Sequence, residues 1–255
     1  MNYIKEFSPF IKELTKVSSK TILEYFKKDV QIELKEDDSP VTIADKLAEE
    51  KMRAIIENNF PDHGIIGEEF GVKNEHAQYQ WVLDPIDGTK SFIAGVPLFG
   101  TLIALTKNKQ PVLGVIHLPA TNDLLIGDNL AAYHNEKEIK LREIADINEA
   151  IMLYTNLHDI EKHQNINGFL NLTAKTKYSR TWGDCFGYFL LATGKADIMI
   201  DPVMSIWDIT ALVPVIKGAG GTITNYQGND PVGAESCVAA AKSIHGEVIK
   251  ILNKS

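Results

Sequence analysis

Trp81-Val82-Leu83-Asp84-Pro85-Ile86-Asp87-Gly88-Thr89 begins as an apolar run and ends in two acids and a turn. The run predicts a short strand, and Asp84 follows at its C-terminal edge, where ligand sites of layered α/β folds gather. Asp87 comes three residues later, with Pro85 fixing the backbone between them and Gly88 permitting a tight turn. Single acids at loop starts are as a rule merely solvated. Two acids flanking Pro-Ile and followed by Gly-Thr can share or flank divalent cations, and the Ile86 carbonyl, freed by the turn, offers a further hard oxygen. All-oxygen coordination suits Mg²⁺, which is completed by phosphate and water. Gly88-Thr89-Lys90-Ser91-Phe92 reads as a helix start, whose unpaired amides face an anion. Metal carboxylates beside such amides outline a phosphoryl-transfer site. The competing GxxxxGK[ST] and GxGxxG designs are absent.

Outward from this string, Ile65-Ile66-Gly67 is a second apolar run ending in acids, Glu68-Glu69. Asp208, in Ile206-Trp207-Asp208-Ile209, is a third candidate; its plain reading is an N-terminal helix acid favoured by the macrodipole. Asp45, in Thr42-Ile43-Ala44-Asp45, fits a capping box without any catalytic role. Apolar spacings of three and four predict a helix over residues 3–28 and another from Thr42 to about Asn59, with a short strand over 31–35 between them. Strands are expected over 98–105 and 111–118 around a Lys107–Gln110 turn, then over 124–126 and 131–134. Residues 136–176 carry no clear period. Beyond them a helix to Thr193, a strand over 197–200, a helix over 209–217, strands near 222–224 and 237–241 and a last helix from Ile244 are expected. The class is mixed α and β: a single domain over 1–255, with lobes of about 1–135 and 136–255.

Composition narrows the partners. With 26 Lys and Arg against 34 Asp and Glu among 255 residues, the formal charge is −8. No basic run exceeds Lys27-Lys28, which excludes a nucleic-acid reading. No stretch approaches the roughly 18 apolar residues of a membrane span, and the first residues lack a signal-peptide pattern, so the cytoplasm is the expected compartment. Cys185 and Cys237 cannot build a disulfide framework.

Gly67-Glu68-Glu69, the nine-residue string from Trp81 to Thr89, and Trp207-Asp208-Ile209 followed by Gly218-Ala219-Gly220-Gly221 resemble, in order and spacing, the signature segments of the inositol monophosphatase-like superfamily. Lys35-Glu36-Asp37-Asp38-Ser39-Pro40-Val41-Thr42, Pro97-Leu98-Phe99-Gly100-Thr101 and Trp182-Gly183-Asp184-Cys185 look most like its bacterial histidinol-phosphatase branch. The resemblance implies a five-layered αβαβα sandwich that hydrolyses a small phosphate monoester with two to three Mg²⁺, commonly as a homodimer and often inhibited by Li⁺. Glu68, Asp84 and the Ile86 carbonyl would hold one ion, and Asp84, Asp87 and Asp208 a second. Glu69 would stand behind them. The amides of Gly88 and Thr89 would hold phosphoryl oxygens beside Asp87. Thr89 and Glu68 would orient the attacking water, with Asp45 hydrogen-bonding the Thr89 hydroxyl.

The same comparison sets Arg180, Asp184 and Asp201 next to the leaving alcohol. Two acids there would favour an amino alcohol, as in L-histidinol phosphate, over neutral inositol or a nucleotide. In the plain alternative, Asp184 caps its helix and Asp201 pairs with an Arg. Trp182 either packs on an imidazole or is a buried structural side chain. Residues 69–81 are a candidate lid. His63, His117 and Cys185 read as structural, and the Asn171-Leu172-Thr173 sequon carries no meaning in a cytoplasmic protein. A non-catalytic metal-binding regulator is the rival from another class; it would have no need of Thr89.

Overall fold

Helical spacing builds the first layer. In the computed structural model, which describes residues 2–28, 32–34 and 40–254, the two N-terminal amphipathic segments are α1 (Tyr3–Tyr25) and α2 (Ile43–Asn59). Between them lie the paired strands β1 (Ile32–Leu34) and β2 (Pro40–Thr42). Helix α1 stops short of residue 28 because Phe26 turns out of it to pack on Phe92 and Phe99. Gln31, Lys35 and the rest of segment 35–39, part of the branch resemblance, lie outside the described residues. Helix α2 opens on the expected capping box: Asp45 Oδ2 accepts from the Thr42 amide at 2.9 Å, and Thr42 Oγ1 from the Ala44 amide at 3.1 Å.

An eight-stranded sheet follows, formed by β3 (Gly64–Gly67), β4 (Gly71–Lys73), β5 (Tyr79–Asp87), β6 (Gly100–Lys107), β7 (Gln110–Leu118), β8 (Asp123–Gly127), β9 (Ala132–His134) and β10 (Lys137–Glu138). Its order is β10-β9-β8-β7-β6-β5-β3-β4, and only the β3–β5 pair is parallel. The short helix α3 (Thr89–Ile93) joins β5 to β6. Residues 69–81 are not a free loop: after a turn they form edge strand β4 and the start of β5.

The second half holds β11 (Ile151–Tyr154), α4 (Leu157–His163), α5 (Ile166–Lys175), β12 (Tyr178–Arg180), α6 (Asp184–Ala192), β13 (Ile198–Asp201), α7 (Ile206–Gly218), β14 (Gly221–Thr224), β15 (Cys237–Ala241) and α8 (Lys242–Leu252). The strands make a five-stranded sheet in the order β12-β11-β13-β15-β14. Helix α7 starts three residues before the expected Ile209 because Ser205 and Asp208 close a capping box there.

Burial then dictates the layers. Phe7, Ile11, Leu14, Met52 and Ile56 seal one face of the large sheet against Trp81 and Leu83. Helices α6 and α7 fill the space between the sheets, where every residue from Ile209 to Ile216 is buried. A helix apolar all round belongs between two sheets. Helices α5 and α8 cover the outer face of the small sheet. The result is the expected αβαβα sandwich.

Candidate functional site

Residues three apart on a regular strand point to opposite faces. Strand β5 escapes that rule through a bulge. Asp84 pairs with Leu102 and Asp87 with Gly100, so three steps along β5 match two along β6. Pro85 has no amide for the ladder, and its carbonyl accepts from Thr101 Oγ1 at 2.8 Å. The extra residue reverses the alternation and turns both carboxylates to one side. Asp84 therefore lies inside the strand, not at its end as the apolar run suggested.

Two further acids meet this pair. Strand β3 runs parallel to β5 with Gly67 opposite Leu83, and the Glu68 amide donates to the Leu83 carbonyl at 3.2 Å, so Glu68 leaves its strand beside Asp84. Asp208 is the third residue of α7 and accepts from the Ser205 amide at 2.6 Å. It caps its helix and still joins the cluster: ligand atoms of Asp84, Asp87 and Asp208 all lie within 4.8 Å of one another.

The charges are held against their preference. Burial, then the fields of Glu68, Asp87 and Asp208, push the Asp84 carboxyl well above the usual carboxylate range. Burial and the neighbouring Asp184 and Asp208 do the same to Asp87. Burial raises Asp208 to about 7, with Glu68 adding to it. Asp84 Oδ1 is buried without a hydrogen-bond partner. Crowded, desolvated oxygens with one left unsatisfied fit a hard divalent cation.

The turn behind the acids starts the short helix α3. Gly88 has φ +86°, and a Cβ on it would sit 3.0 Å from the Leu98 carbonyl, so only glycine starts α3 here. Thr89 Oγ1 donates to the Ile86 carbonyl at 2.9 Å. The expected Asp45–Thr89 hydrogen bond is not made: Asp45 Oδ2 is taken by the amide and, at 2.6 Å, the hydroxyl of Thr42. The capping box claims the carboxylate because Thr42 is three residues away on the same turn. Asp45 lies near enough to Glu68 to feel its charge, and burial raises it to about 6.

On the opposite wall, α6 begins at Asp184, whose backbone is left-handed at φ +51°. Gly183 is the cap, so the capping role considered for Asp184 is excluded. Burial raises its carboxyl to about 6 against the pull of Lys90. Asp201 does not pair with an arginine either: Thr155 Oγ1 donates to its Oδ1, and Arg142 is engaged by Asp197. Asp201 is raised to about 7 by burial and keeps Oδ2 buried and unpartnered. Arg180 is exposed, its guanidinium over the Tyr178 ring and bonded to the Ser179 carbonyl. Trp182 is 42% exposed, which removes its reading as a buried structural residue.

Cys185 is buried with its thiol pushed up by burial, and its amide donates to Asp87 Oδ2. His63 stacks on Phe60 and accepts from Trp81 Nε1 at 3.1 Å. Burial lowers His117 to about 4. These three are structural, as the sequence suggests.

Glu49 and Thr155 do not stand out in the sequence. Fully buried, Glu49 accepts from the amides of Glu69 at 2.8 Å and Phe70 at 3.2 Å and pairs with Arg53 at 2.7 Å. It braces the corner that carries Glu68. The available signal is its place between Ala48 and Met52 on the apolar side of α2, where a charge needs a buried partner.

Carboxyls that titrate higher in the folded protein than in the unfolded chain hold protons the chain has lost, so they stabilise the fold below about pH 7 and that contribution vanishes as pH rises from about 4 through 7. The buried, lowered imidazoles of His117, His63 and His245 act oppositely, costing stability as pH falls below 6.5. The carboxyls prevail in number and shift. Metal-free protein is expected to melt several degrees higher at pH 5.5 than at pH 8. A melting temperature in chelator that is flat or rises over this range would show that the acids are not buried together.

Comparison with known proteins places the chain in a family. The family model for the inositol monophosphatase family matches residues 4–255. The chain is 43% identical over 235 residues to the chloroplastic bifunctional phosphatase IMPL2 of Arabidopsis thaliana, covering 91% of this chain and 68% of that one. It is 36% identical to a histidinol-phosphatase of Chlorobaculum parvum, covering 86% of each. The solved inositol monophosphatase of Zymomonas mobilis superposes over the full length of both chains with a TM-score of 0.88 at 32% identity.

Proposed function

The chain belongs to the inositol monophosphatase family and is a phosphatase of that family, and from that premise we propose that it hydrolyses L-histidinol phosphate to L-histidinol and phosphate with Mg²⁺. The observation that carries the reaction class is the convergence of Asp84, Asp87 and Asp208 within 4.8 Å around a buried, unpartnered Asp84 oxygen. These three, with Glu68 and the Ile86 carbonyl, would hold the cations. Bound there, Mg²⁺ supplies charge neutralisation for the phosphate and lowers the pKa of a coordinated water.

The protein's own groups do the rest. Amides at the start of α3, Gly88 and Thr89, hold phosphoryl oxygens and fix the ester for in-line attack. Because its proton is committed to the Ile86 carbonyl, Thr89 Oγ1 meets a water as an acceptor and, with Glu68, aims it. Asp45 caps α2 and adds negative charge beside Glu68; no bond to Thr89 is needed.

Substrate choice follows from the opposite wall. Asp184 faces the leaving alcohol with the buried Asp201 behind it, so acidic groups outnumber the single nearby cation, Lys90, on this side, which suits an ammonium-bearing alcohol. Similarity to a histidinol-phosphatase supports this reading. Similarity to an inositol monophosphatase over the whole chain favours a neutral polyol instead. With saturating Mg²⁺, kcat/KM for L-histidinol phosphate is expected to exceed that for inositol 1-phosphate by at least about tenfold, the worth of one well-placed polar contact. Preference for inositol 1-phosphate would overturn the substrate, and absence of phosphate release from any monoester would overturn the mechanism.

A further inference from the structure

Thr155 joins the two acids of the alcohol side. Parallel pairing of β11 and β13 sets Tyr154 opposite Ile200, so the next step in register brings Thr155 beside Asp201 at the end of β13. Thr155 Oγ1 donates to Asp201 Oδ1 and accepts from the Asp184 amide at 3.2 Å. An amide only donates, so the hydroxyl meets Asp184 as an acceptor and keeps its single proton for Asp201. Gly183 lets the helix start close on the strand end: a Cβ there would lie 2.4 Å from Thr155 Cα and 2.5 Å from its Oγ1. Asp184, held by its amide in a left-handed conformation, sets its Oδ2 against Gly88, 3.2 Å from where a Cβ would stand. Asp201 is 4% exposed, so it stands behind Asp184 as an anchor.

We infer that Thr155 is a positioning residue for substrate choice: anchored on Asp201, its hydroxyl holds the Asp184 amide and thereby fixes the Asp184 carboxylate beside the phosphate-binding turn, facing the alcohol of the substrate. This rests on the phosphatase reading and deepens its substrate side. Thr155 bonds Asp201 and the Asp184 amide, while the next amide of α6, that of Cys185, keeps its own bond to Asp87, so the first effect of Thr155 falls on Asp184 and binding of the alcohol.

The test compares Thr155→Val and Thr155→Ser. Val keeps the shape and loses both hydrogen bonds, and is expected to raise KM for L-histidinol phosphate about tenfold with kcat within about threefold. Ser keeps the hydroxyl and is expected to stay within about threefold of the parent in both. In Thr155→Val/Asp184→Asn, the Val change is expected to add less than about twofold to the KM of Asp184→Asn alone. An unchanged KM in Thr155→Val, an equal fall of kcat on every monoester, or a double variant whose effects multiply would each overturn the inference. If the parent prefers inositol 1-phosphate, the substrate reading fails, and the KM comparison and the double variant on that ester still decide the role of Thr155.

Discussion

Asp84→Asn is expected to lower kcat/KM by about a thousandfold or more, a loss of roughly 4 kcal/mol of transition-state stabilisation, while making the metal-free protein more stable. Both effects have one cause. Asp84 is buried among Glu68, Asp87 and Asp208, whose charges all act on it, so its negative charge is tolerable only when a cation neutralises it. The amide has the same shape and no charge, and its NH₂ can donate to the neighbouring carboxylates. In chelator at pH 8 the variant should melt a few degrees higher than the parent. Adding Mg²⁺ should raise the parent's melting temperature by about 5–10 °C at a hundredfold excess over Kd, by mass action, and should move the variant far less. A variant that keeps full activity at saturating Mg²⁺, or that is destabilised in chelator, would remove Asp84 from the cation site.

Glu49→Ala is expected to cost about 3–5 kcal/mol of folding free energy, because removing one member of a buried ion pair strands the other. Arg53 would lose its carboxylate partner and keep only the Gly71 carbonyl and the Phe70 ring, and the Glu69 and Phe70 amides would lose their acceptor. For a chain of this size that is a fall in melting temperature of about 10 °C or more. Activity of the folded fraction should fall too, since the corner carrying Glu68 loses its brace. Glu49→Gln, which retains an acceptor oxygen, should cost roughly half as much. Chemical denaturation reads the difference directly. A cost below about 1 kcal/mol for the alanine variant would mean that the corner is held by other contacts.

The elements around the site were legible to different degrees. The helix starts at Thr42 and Ser205 and the turn at Gly88 depend on residues a few positions apart, and the sequence places the first and last of them well. The apolar run makes strand β5 look short because it ends where side chains turn polar, whereas the strand stays buried through Ile86 and continues across a bulge at Pro85, whose carbonyl Thr101 bonds. The strand within residues 69–81 is hidden for a related reason: β4 is exposed along its length, so no apolar pattern marks it, and it is a strand because β3 offers an edge.

Local order along the chain was enough to assemble the chemistry of this protein: acids at the ends of apolar runs, a proline and a glycine between and after them, and capping residues at the helix starts. Each of these acts over one turn or one strand, so neighbouring letters carry it. Which carboxylates meet was decided in three dimensions. The bulge that aligns Asp84 with Asp87, the register that sets Thr155 beside Asp201, and the reach of Glu49 to a corner 20 residues away arise from strand pairing and layer packing. Those contacts join distant segments, and their energy is gained only when the whole sandwich closes.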